Sequence, residues 1–133
     1  MQAARGWLVI AGVLGATGVA MGAYASHGLG FIADEALREA SRATLQTAVQ
    51  QQMLHAVVLL GIACWNFRTQ SRALQFAGVL FTVGVLLFSG LIYLRILGGV
   101  ESLRAMVPWG GSCLIAGWLA VVVAGIVGMK PRQ

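Results

Sequence analysis

The stretch Gly22-Ala23-Tyr24-Ala25-Ser26-His27-Gly28-Leu29, "GAYASHGL", closes an apolar run that begins at Trp7 behind Arg5. Ala23-Tyr24-Ala25 has the small-x-small pattern of a secretory cleavage site. The same residues also read as the outer end of a membrane helix that carries a histidine. The first reading removes a helix from the mature chain, and the second makes this helix the first of a series.

Composition narrows the choice. The chain has 133 residues, 59% of them hydrophobic and 10% charged, with a mean hydropathy of +0.83. So few charges cannot cover the surface of a soluble domain of this size, which points to a membrane protein. The formal net charge is +5, but the nine Lys and Arg flank apolar segments and read as topology signals. No basic cluster with interleaved aromatics is present, so nucleic acid is not an expected partner.

Four stretches are free of Asp, Glu, Lys and Arg: between Arg5 and Asp34, Arg42 and Arg68, Arg72 and Arg95, and Arg104 and Lys130. Each holds the roughly 20 residues that cross a bilayer as a helix. The expected spans are about Trp7 to Ala25, Gln51 to Phe67, Ala73 to Tyr93 and Val107 to Met129. Connections this short predict one all-α integral membrane domain over residues 1–133, an antiparallel bundle of four transmembrane helices. Arg5, Arg68, Arg72, Lys130 and Arg132 then fall on one side, while Arg38, Arg42, Arg95 and Arg104 share the other with Asp34, Glu35, Glu39 and Glu101. The uniformly basic side is expected to be cytoplasmic, with both termini there.

The first segment is therefore expected to be retained as a membrane helix. Gly18 and Gly22 form a GxxxG pair that permits close helix approach, a feature a disposable leader does not need. In the fourth span Ala116, Ala120, Ala124 and Gly128 recur every fourth residue, predicting a flat packing face. Its partner is a helix of the same chain or a second subunit.

Residues 34–50 differ in kind. Ala36, Leu37, Ala40, Thr44, Leu45, Ala48 and Val49 form an apolar stripe at helical spacing, among Asp34, Glu35, Arg38, Glu39, Arg42 and Gln46. They predict an amphipathic helix on the outer surface between the first and second spans, capped by Asp34 and supported by an Asp34 to Arg38 pair. Such a helix lies at lipid headgroups or serves as a docking surface.

Polar residues near membrane depth cost free energy unless paired or wetted. Thr47, Gln51 and His55 share one face at the start of the second span, and with His27 at the end of the first they place both histidines of the chain at one depth. Four motifs in this region resemble a family catalogued as domain of unknown function 423, a family of small membrane proteins. "GAYASHGL" is similar to its Gly-Ala-aromatic-small-Ala-His-x-Leu, and Thr47 to Ala56 to its Thr-Ala-x-x-Tyr-Gln-x-x-His-Ala, with Gln51 where Tyr is usual. Phe88-Ser89-Gly90-Leu91-Ile92-Tyr93 and Pro108-Trp109-Gly110-Gly111 with Gly117-Trp118 complete the set. The resemblance implies four membrane helices and no established activity.

The topology gathers Tyr24, His27, Gln51, Gln52, His55, Tyr93, Arg95 and Trp109 into a candidate polar cluster near the outer face. Structural pairing between helix ends accounts for such a set. So does a bound ion, lipid headgroup or small solute. Two histidines without a neighbouring Cys do not make a transition-metal site, and no cofactor is implied. Ser26 or Ser112 with a histidine and Asp34 or Glu35 lacks the spacing of a catalytic set, so no enzyme is expected. Gly98-Gly99 and Gly110-Gly111 lack the Lys and Ser or Thr of a phosphate loop. Cys64 and Cys113 fall in opposite leaflets, beyond disulfide reach.

The sequence thus predicts a small membrane protein with a structural or interaction role, which the resemblance implies is one of the bacterial inner membrane, with membrane lipids and a second copy or another membrane protein as partners. Ion, lipid or small-solute binding or transport through the cluster is the alternative, although mid-span polarity is limited to Thr17, Thr82 and small residues.

Overall fold

The computed structural model describes residues 2–68 and 71–128. Met129, Lys130 and Arg132, expected at the end of the fourth span and in the tail, lie outside the described residues. Among those described, regular structure is entirely helical. Helix α1 spans Gln2–His27, α2 Glu35–Arg68, α3 Arg72–Val85, α4 Leu91–Gly98 and α5 Val107–Gly128. A five-residue π turn, Leu86–Gly90, joins α3 to α4, and 3-10 turns at Leu29–Phe31 and Glu101–Met106 lie in the connections. Four segments are long and apolar enough to cross a membrane: Gln2–Phe31, Glu35–Arg68, Arg72–Gly98 and Glu101–Val127.

The second span is longer than expected. No break separates residues 34–50 from the apolar half of the helix: α2 is one helix of 34 residues, about 51 Å at 1.5 Å per residue. It starts where Asp34 caps it, accepting the Leu37 amide on Oδ1 at 2.9 Å. Arg38 does not pair with that carboxylate; its guanidinium donates instead to the Ile32 carbonyl at 3.2 Å. The one salt bridge among the described residues joins Arg42 to Glu39. The expected apolar stripe also divides. Leu45 and Ala48 are fully buried, whereas Leu37 is 59% exposed because no element covers the first turn of α2 on that side.

Packing runs in two pairs, α1 on α2 and α3 on α5, with α2 also touching α3 and α4. Val9, Val19, Val57, Phe76, Ile115 and Ile126 are all at least 60% exposed, so apolar side chains coat the outside as well as the core. Between such helices lipid removes the hydrophobic drive, and association rests on close approach and hydrogen bonds. The α1/α2 seam shows the first. Gly18 is buried against Met53, and a Cβ at Gly22 would sit 3.5 Å from Val49 Cγ1.

On α5 the buried face is not the expected four-residue repeat. Gly110, Leu114, Gly117 and Ala124 are buried, Ala116 and Ala120 lie half-buried beside them, and Gly128 ends the helix. Spacings that alternate between four and three keep a seam on one partner where a strict repeat of four drifts off it. That partner is α3: a Cβ at Gly117 would lie 2.7 Å from the Phe81 ring, and Leu114 fills the space over Gly84.

Candidate functional site

Gln52 is the polar centre of the fold. It is 3% exposed and lies on the face of α2 that meets both α1 and α4. Its Nε2 donates to the Leu14 carbonyl and to Thr17 Oγ1, each at 2.8 Å, and its Oε1 accepts from the Tyr93 hydroxyl at 2.8 Å. Both amide hydrogens and the carbonyl oxygen are used, so the side chain ties three helices together without an unpaired atom. One turn earlier Ser89, fully buried, donates to the Ala48 carbonyl at 2.7 Å.

The π turn makes room for this bond. An extra residue in the helical ladder rotates the rest of the helix by roughly 100°, which redirects α4 relative to α3. Gly110 of α5 presses on the same turn, and a Cβ there would lie 2.8 Å from the Leu87 carbonyl carbon. Ser89 thus faces α2 on one side while Phe88 meets α5 on the other.

His55 faces elsewhere. Three residues beyond Gln52 it is offset by roughly 60° around α2, toward α3 and α5. It is 2% exposed, with its ring centroid 5.2 Å from that of Phe81 and 6.1 Å from that of Trp118. Nδ1 lies 2.7 Å from the Gln51 carbonyl, which can only accept, so Nδ1 carries the hydrogen. Nε2 is buried with no partner among the described residues.

The two histidines are therefore not at one depth, contrary to expectation. Arg42 Nε donates to the Ala25 carbonyl while Gln52 donates to that of Leu14, which fixes how α1 and α2 lie alongside each other. On that alignment His27 and His55 are separated by roughly 20 Å of helix rise. The expectation failed because it began the second span at Gln51. The helix starts at Glu35, some four turns earlier, and carries Gln51, Gln52 and His55 down to the middle of α1.

Of the candidate cluster, then, the structure joins Gln52 and Tyr93 across helices and His55 to the Gln51 carbonyl within α2. Tyr24, His27 and Trp109 are exposed, Trp109 by 70%. Gln51 is half-buried and contributes its backbone carbonyl, and Arg95 lies about a turn from the end of α4. Sequence reasoning passed over Thr17 and Ser89 as members of the network. It also missed a second network near Arg5, Arg68 and Arg72, where Trp7 Nε1 donates to Gln75 Oε1 at 2.7 Å and Gln75 Nε2 to Asn66 Oδ1 at 3.1 Å. A Trp at the start of one apolar run, with Asn and Gln at the facing ends of two others, was the available signal.

The motifs singled out in the sequence meet around this centre. Ala25 and Leu29 pack with Leu45, Ala48 and Ile92, while Ser89 and Tyr93 bond to Ala48 and Gln52, and Gly110 abuts the π turn. A family model described as "Protein of unknown function (DUF423)" matches residues 21–111, the interval that contains these contacts. The chain belongs to the DUF423 family. Its relatives include the UPF0382 membrane protein SAB0533 of Staphylococcus aureus, 35% identical over 87% of this chain and 92% of that protein. The UPF0382 membrane protein YwdK of Bacillus subtilis is 30% identical over 90% and 95%. The UPF0382 inner membrane protein YgdD of Escherichia coli K12 is 28% identical over 96% and 94%. No solved structure matches the chain significantly. This DUF423 member is a membrane protein of unknown function with four membrane-capable helices.

Proposed function

We infer that this chain is a structural or interaction protein of the bacterial inner membrane, without catalytic activity. It forms an antiparallel four-span bundle with both termini on the cytoplasmic side and with the first turns of α2 as an amphipathic contact surface for another membrane protein or a second copy. The observation that carries this reading is the state of Gln52: both its amide hydrogens and its carboxamide oxygen are engaged by the chain's own Leu14, Thr17 and Tyr93. A polar centre engaged in this way joins helices. The orientation rests on Arg5, Arg68, Arg72, Lys130 and Arg132 at one end against Arg38, Arg42, Arg95 and Arg104 at the other, an excess of one cation on the side taken as cytoplasmic.

A second reading, binding or transport of a small solute, draws on a cavity of about 280 Å³ beside Gln52, Thr17 and Tyr93. Flux into proteoliposomes separates the two. The structural reading expects ion and small-solute uptake equal to that of protein-free vesicles. Uptake above that level, abolished by Gln52→Leu, would replace it with the second. A photoreactive residue at Ala36 or Ala43, both exposed on α2, is expected to crosslink in cells to a second copy or to one discrete membrane protein, and crosslinks to lipid alone would remove the contact surface.

A further inference from the structure

Near the end of the bundle that carries the connections at residues 28–34 and 99–106, a cleft of about 380 Å³ opens between the start of α2 and the α4 terminus. Its lining combines Ile32, Leu37 and Ser41 with Arg95, Glu101 and Arg104. Arg95 Nε is buried and has no hydrogen-bond partner among the described residues, and no carboxylate forms a salt bridge with either arginine there. Burial of Nε holds the Arg95 side chain in place, and with no carboxylate paired to either guanidinium an anionic oxygen entering the cleft is the partner that suits them best.

We propose that this cleft binds the phosphate headgroup of an anionic phospholipid, with Arg95 and Arg104 on the phosphate and the acyl chain against Ile32 and Leu37. The place in the fold favours a lipid over a dissolved anion. The α4 terminus, where Arg95 sits about a turn in, is where an arginine on a membrane helix reaches headgroups. Leu37, 59% exposed, and Phe31, 63% exposed, extend the cleft as an apolar surface that a free phosphate would leave bare to water. With two arginines and one glutamate the cleft keeps a positive balance, so a zwitterionic lipid gains less from it. The site does not depend on whether the bundle has a structural or a transport role.

Native mass spectrometry of the full-length protein in mild detergent, with equal amounts of phosphatidylglycerol and phosphatidylcholine, tests it. Wild type is expected to retain phosphatidylglycerol in preference by at least about fivefold, and Arg95→Gln or Arg104→Gln each to lower that preference by roughly fivefold, the effect of one basic residue near a membrane surface. Arg72→Gln, which removes the same charge at the other end, is expected to leave the preference unchanged, and Glu101→Gln to raise it. Arg104 is exposed on a 3-10 turn, so its variant carries the test if Arg95→Gln does not fold. Equal retention of the two lipids, or a wild-type preference in the Arg95→Gln/Arg104→Gln protein, would overturn the site. Displacement of the bound lipid by an equal concentration of glycerol phosphate would overturn the lipid as its occupant.

Discussion

Tyr93 donates its hydroxyl to the carboxamide oxygen of Gln52 at 2.8 Å, and that bond closes a circuit in which α4, α2 and α1 share one amide. The circuit lies midway along α1, where water is scarce and a lost partner is hard to replace.

Removing the amide should therefore loosen all three helices. Hydrogen bonds between membrane helices average about 0.6 kcal/mol and reach about 1.7, so Gln52→Leu is expected to cost about 2 kcal/mol and Tyr93→Phe about 0.6. In the Gln52→Leu background Tyr93→Phe should add almost nothing, because its partner is already gone. Reversible unfolding in mixed detergent and denaturing micelles measures all four corners. Additive costs would show that the bond is not shared.

Gly110 and Gly111 make a matched pair of neighbours. A Cβ at Gly110 meets the backbone of the π turn, whereas one at Gly111 meets nothing within 4 Å. Backbone cannot rotate away, so Gly110→Ala is expected to destabilise by about 1–3 kcal/mol. Gly111→Ala should be neutral or stabilising by up to about 1 kcal/mol, through helix propensity alone. The same unfolding assay decides, and equal effects would remove the π turn contact as the reason.

At His55 the orphaned Nε2 sits among Phe81 and Trp118. His55→Phe removes an unsatisfied acceptor while keeping a ring, so its stability should stay within about 1 kcal/mol of wild type. His55→Ala should cost about 2–5 kcal/mol through the cavity it opens. A Phe variant as unstable as the Ala variant would mean that Nε2 has a polar partner in the membrane.

The orientation has a direct assay. A fluorescent reporter that matures only in the cytoplasm should be active when fused after Gln133. Alkaline phosphatase inserted at Gly99 should be active outside. Gly99 takes a left-handed φ of 68° in the connection after α4, a position suited to insertion without breaking a helix. The reverse pattern would place the basic end outside.

Much of the fold is legible in the sequence, because lengths of uncharged chain and the cost of burying charge in lipid are local quantities. The four spans come from the intervals between charged residues, and Asp34 as a helix cap comes from its place before Glu35 and Ala36. The Gly18 and Gly22 face is likewise visible as small residues one turn apart, and it meets α2. The candidate cluster was less legible. Gln52 and Tyr93 belong together, but Tyr24, His27 and Trp109 do not join them.

What the sequence by itself determined is that "GAYASHGL" ends the first of four apolar segments, since hydropathy and charge spacing need no knowledge of neighbours. Only the tertiary structure decided depth and direction. Depth depends on where α2 begins, and a helix that starts at Glu35 puts Gln52 and His55 beside the middle of α1 instead of at its end. Direction depends on rotation about each axis, which the π turn at Leu86–Gly90 resets through a backbone register that no local propensity announces, turning Ser89 toward α2.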